Sequence, residues 1–299
     1  MCQTNHHHDD DQSSCDSSSN QLSCYRTSLA LNNMAVTVLR RQDKLEMALE
    51  IAQEALVWLN RSVGSSSYNS HRHCPQRALK DASTRVAALS HFAECETTPT
   101  TQVQVVEDGD IWGLHLAMTT AAQNAGLVEE DTKTIPCSGY TAIRISNYDD
   151  SESQASMPLT ATVVQQYVVL LHNKALVHRL LGDRESTVNT IQLALEMVQD
   201  LSEDAGAMDS ETILPMDEDV YLTVLVFQAL FGSQLVVEYT DRDAEEPAIA
   251  NSYKSGARRT RHILKMAQLE AHQAYQQVRR HEHYLYASCQ DSPHAAAAA

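Results

Sequence analysis

Leu171-His172-Asn173-Lys174-Ala175-Leu176, carried on through Gly182-Asp183 to Gln192-Leu193-Ala194-Leu195, decides how this chain is read. Val164, Tyr167, Val168, Leu171, Ala175, Val177 and Leu181 make a broad apolar surface before the glycine; Val188, Ile191, Leu193, Ala194, Leu195 and Val198 do so after it. Recurrence at three and four residues places such side chains along one helix face. Glycine tolerates the left-handed backbone that ends many helices. The spacing predicts two antiparallel helices joined by a tight turn, opened by Pro158 and ending near Leu201. The same opening occurs earlier as Leu31-Asn32-Asn33-Met34-Ala35-Val36, leading to Glu54-Ala55-Leu56.

Outward from these two pairs the chain divides into segments. Residues 1–20 hold His6-His7-His8, Asp9-Asp10-Asp11 and a Ser-rich run, too polar to offset the entropy of ordering, and are expected to be a disordered tail. Residues 21–95 give the first helix pair, with a break at Asp43, plus a weaker helix opened by Pro75. Residues 96–156 read as an extended insertion. There Val103 and Val105 alternate with Gln102 and Gln104, Asp108-Gly109 signals a turn, and Leu114 and Leu116 flank His115. A β hairpin across Asp108-Gly109 is the expectation; a helix over Ile111 to Asn124 is its competitor. Tyr140, Ala142 and Ile143-Arg144-Ile145 are strand-like and are expected to pair with the hairpin. Residues 157–287 carry the second pair, an almost wholly apolar helix from Glu218 to Tyr239, and a long helix from Tyr253 to Tyr286. Residues 288–299 form a frayed tail.

Composition narrows the function classes. The 299 residues are 43% hydrophobic but only 5% aromatic, with 9 Gly and 7 Pro, which suits helix-on-helix packing rather than a many-turned sandwich. A net charge of −17 repels phosphate backbones and argues against nucleic acid as a partner. The acidic excess lies between Glu196 and Glu246, while Lys254 to Arg280 is mostly basic; these are either paired layers or two solvated faces. Gln228, Gly232, Ser233 and Gln234 interrupt the apolar helix, so a membrane span is not expected. The seven cysteines have no CxxC spacing, and Met1-Cys2-Gln3-Thr4-Asn5 opens no apolar leader; both suggest an intracellular, cytoplasmic setting.

Ala175, Gly182, Ile191 and Ala194, followed by Leu195, resemble the tetratricopeptide-repeat (TPR) family, in which a small residue, a turn glycine and further small residues recur along a helix pair. Lys174 and Thr187 depart from that pattern, no proline closes the repeat, and the first pair has Gln42 or Asp43 where glycine is usual. The resemblance implies a mostly α fold: a TPR-like right-handed stack of antiparallel helix pairs, here with a small β-hairpin or extended insertion. It also implies a concave face that holds a peptide or helix of another protein.

Asn33 and Asn173 take matching places in the two first helices. A carboxamide there can bond a ligand's backbone amide or a neighbouring turn. Lys174, His178 and Arg179 could add a basic patch for an acidic peptide. No GxGxxG, P-loop, GxSxG or HExxH string occurs, so no catalytic residue is assigned. His262, His272, His281 and His283 are not spaced three or four apart, so no metal ligand and no cofactor is expected. The expectation is a non-enzymatic protein-interaction scaffold binding a peptide or helix. The alternatives are self-association, with the basic C-terminal helix set against the acidic middle of another copy, and an enzyme site assembled from distant residues.

Overall fold

The computed structural model describes residues 12–42, 44–64, 75–90, 103–108, 111–127, 140–145, 160–206, 218–245 and 254–290. Their order is α1 (Gln12–Arg41), α2 (Leu45–Ser62), α3 (Pro75–Ser90), β1 (Gln104–Glu107), α4 (Ile111–Asn124), β2 (Thr141–Arg144), α5 (Thr160–Leu180), α6 (Arg184–Gly206), α7 (Glu218–Glu245) and α8 (Lys254–Gln290). Among the described residues the fold is mostly helical, with one small two-stranded parallel sheet.

Two expectations are corrected. The hairpin across Asp108-Gly109 does not form, because Ile111–Asn124 is helix α4. Its apolar residues are too short a run for alternation to separate strand from helix. β1 pairs instead with β2, in parallel, and parallel pairing requires a long crossover, which residues 108–140 supply. The polar tail is also shorter than expected: α1 begins at Gln12, within the Ser-rich run. Residues 1–11 and 291–299 lie outside the described residues, as do Asn147 to Ser156, read as acidic linker.

The chain forms two compact units, residues 1–109 with 142–182, and residues 110–141 with 183–299. In the first unit α1 packs along α2, and also on α3, α5 and β1, while α5 packs on α2. The turn between α1 and α2 is short. Ser28, well back from that turn, donates its hydroxyl to the Ala55 carbonyl at 2.7 Å, which makes the two helices antiparallel. Leu31, Leu39, Ile51 and Leu59 are fully buried between them. Gln42, where the repeat pattern wants glycine, takes φ +57°. A side chain in that region costs roughly 1–2 kcal/mol. Gln42→Gly is therefore expected to stabilise the chain by about 1 kcal/mol, part of the relief being lost to the greater freedom of unfolded glycine. The midpoint of urea unfolding measures it.

In the second unit α7 is the centre and packs against α4, α6 and α8, as its all-round apolar sequence anticipates. Phe227 and Phe231, one turn apart and buried, stack with centroids 5.6 Å apart. α8 approaches closely because Gly232 faces small residues: a Cβ there would lie 3.1 Å from the Ala271 Cβ. No helix among the described residues is long and apolar enough to cross a membrane.

The boundary between the units falls between Gly182 and Asp183, at the turn expected to join the second helix pair. Gly182 has the anticipated positive φ, +77°. Asp183 caps α6, its Oδ1 accepting the Ser186 N–H at 3.1 Å. Thr187, a departure from the repeat pattern, is fully buried and turns its hydroxyl back to the Asp183 carbonyl at 2.8 Å. The two expected partners α5 and α6 therefore belong to different units, with α5 packed on α2 and α6 on α7.

Candidate functional site

The two asparagines singled out by sequence meet on one strand. Asn173 accepts the Ile143 N–H at 2.8 Å and donates to the Ile143 carbonyl at 2.6 Å. Asn33 accepts the Ile145 N–H at 2.9 Å and donates to the Ile145 carbonyl at 2.9 Å. Each carboxamide thus does for one residue what a neighbouring strand would do, since it carries one acceptor and one donor side by side. Residues 143 and 145 turn the same edge of an extended chain toward the helices, about 7 Å apart along it. The intervening residue faces the other edge, where the Arg144 carbonyl accepts the Asp108 N–H at 2.8 Å. This short strand is satisfied on both edges, by β1 on one and by helical side chains on the other.

Asn32, which the sequence alone does not single out, links the two clamps. Its Oδ1 accepts from Asn173 Nδ2 at 2.9 Å, and its own amide lies 3.4 Å from the Ile143 carbonyl and from Asn33 Oδ1. Asn32 and Asn173 are each 1% exposed, and Ile143 and Ile145 are no more exposed than they are. Buried amides in so little water bond firmly and are costly when left unmade. The available sequence signal is the doublet Asn32-Asn33, which sets two carboxamides on successive positions of the helix that matches α5.

The other candidates do not join this site. His178 is buried, so Lys174, His178 and Arg179 do not form the solvent-facing basic patch expected of them; Lys174 and Arg179 are half-buried. Burial of His178 follows from α5 being covered on most sides, with Ala175, Leu176 and Val177 all inside. No cluster of three or more metal-ligating side chains occurs among the described residues.

Below the clamp, Tyr25 of α1 donates its hydroxyl to Gln166 Oε1 of α5, both buried. Burial pushes the Tyr25 phenol up to about 12, with the Asp108 carboxylate adding to the effect. The folded chain holds this proton more tightly than the unfolded one. The resulting stability is fully present below about pH 10 and is lost as pH rises through about 12. Tyr25→Phe is expected to remove this alkaline loss while costing about 1 kcal/mol at neutral pH, where Gln166 loses its donor. Denaturant melts at pH 8 and pH 11 of both proteins measure the difference.

No family model, curated protein or solved structure matches this chain.

Proposed function

We propose that this protein is an interaction scaffold whose first unit grips an extended peptide of another protein by its backbone, in the place held here by its own residues 142–145. The observation that carries the reading is the double engagement of Ile143 and Ile145 by Asn173 and Asn33. Carboxamides that bond N–H and C=O together recognise extended backbone whatever its side chains, and β1 adds strand pairing on the opposite edge. Apolar residues at alternate positions of the ligand would follow from the burial of both isoleucines. Support for a TPR-like stack comes from the antiparallel α1–α2 couple and from left-handed turns at Gln42 and Gly182; the assignment of α5 and α6 to separate units weighs against it.

A second reading has its own observation. Ile143 and Ile145 are almost wholly buried, which suits a clamp that only holds this chain together. The two are separated by a fluorescently labelled peptide of residues 139–147, added to the full-length chain carrying Ile143→Pro. Proline removes the N–H that Asn173 accepts and so loosens the resident strand. Saturable binding to this variant, abolished by adding Asn173→Ala, is the expected result. A helical Ile143→Pro chain that ignores the peptide would leave the clamp a purely structural device.

A further inference from the structure

Over residues 261–280, where its side chains are described, α8 is packed on one side. Ala267, Ala271, Ala274, Tyr275 and Val278 are buried against its neighbours. Directly opposite that stripe Leu269 is 48% exposed, and Met266, one turn from it, is 41% exposed. Around this apolar pair the outer face is basic, with Arg261, Lys265 and Arg280 all exposed. α6 shows the reverse pattern. Its open side carries Glu185, Glu196 and Asp200, with Leu193 at the centre, 44% exposed. Among the described residues both faces are exposed, with Gln199 of α6 donating to Glu270 of α8 at 3.5 Å beside them, and each has what the other lacks.

We propose that the outer face of α8 docks on the acidic side of α6 in a second copy of this chain. The stripes match in order as well as sign. Measured from Leu193, acids lie 8 residues before and 3 and 7 after; measured from Leu269, cations lie 11 after and 4 and 8 before. With the helices antiparallel and the leucines in contact, Glu185 comes opposite Arg280, Glu196 opposite Lys265, and Asp200 opposite Arg261. At about 1.5 Å per residue the mismatches are about 5 Å or less, within reach of lysine and arginine side chains. Each copy carries both stripes, so the contact closes as a twofold dimer when both are made together. The net charge of −17 opposes association, but charges farther apart than about 8–10 Å are screened at 0.1–0.15 M salt. Contacting pairs around a leucine and methionine seam are screened less.

Sedimentation equilibrium of the full-length chain, at about 0.15 M salt, tests this with reversed charges. The wild-type chain should dimerise reversibly. Lys265→Glu and Glu196→Lys should each raise the dimer dissociation constant about tenfold, and the double reversal should return it to within about twofold. The single reversals move the net charge oppositely, to −19 and −15, so a response set by overall charge alone would move the constant in opposite directions and overturn the proposal. So would a wild-type chain that stays monomeric at about 0.5 mM, or a double variant as weak as the singles. All these positions are exposed, and circular dichroism checks that helix content is unchanged.

Discussion

Asn173→Ala is expected to lower the unfolding free energy by about 3–4 kcal/mol, because a single truncation leaves the Ile143 N–H and the Asn32 carboxamide oxygen unpartnered in the core and the Ile143 carbonyl with only a long contact. Each buried group so stranded costs roughly 1–3 kcal/mol. Asn33→Ala, at a half-buried position where water reaches in, is expected to cost only about 1–2 kcal/mol. Asn173→Asp isolates the donor. The carboxylate still accepts the Ile143 N–H but cannot donate to the Ile143 carbonyl, and it introduces a buried charge. Burial raises the pKa of such a group, so part of the loss should return as pH falls toward 5, when the introduced carboxyl takes up a proton and can donate again. Chemical denaturation at pH 5 and pH 7.5 reads both effects. An Asn173→Ala chain as stable as wild type would show that water or a neighbour replaces the clamp.

Gly232→Leu is the second large loss, about 3 kcal/mol. The first atom beyond Cα would already lie 3.1 Å from the Ala271 Cβ and 3.4 Å from the Ala267 carbonyl oxygen, and three further carbons have no room between α7 and α8. Gly232→Ala is a sharper comparison. Alanine is favoured over glycine inside a helix by about 1 kcal/mol, and the close contact takes back a similar amount, so it should be nearly neutral. Thermal unfolding followed at 222 nm orders the three proteins. Equal loss from Ala and Leu would mean that α7 and α8 cannot separate by even a few tenths of an ångström.

The helical elements are legible where apolar periodicity runs long. Ala48, Ala52, Ala55 and Leu59 place α2, and the apolar run from Val224 to Val236, interrupted by Gln228, Gly232, Ser233 and Gln234 alone, places α7 at the centre of its packing. α4 reads wrongly because Leu114-His115-Leu116 alternates locally, and a few alternating residues say as much for a strand as for a helix. Asn33 and Asn173 can be picked out by their matching places, but their common target cannot. Asn33 lies 112 positions from Ile145, and no local pattern encodes a contact at that separation. His178 looks solvent-facing beside Lys174 and Arg179. Its burial comes from tertiary packing around α5, which the residues beside it in the sequence do not encode.

The first unit is written in two instalments, interrupted after Gly109 and resumed at Ala142. A growing polypeptide therefore cannot finish it from its N-terminal hundred residues: α1 must wait, with Asn32 and Asn33 unserved, until the isoleucines and then Asn173 leave the ribosome. Any truncation between Gly109 and Gly182 removes the closing pieces of a domain whose opening helices remain. Such fragments should be caught by chaperones or proteases during synthesis rather than persist as half-proteins.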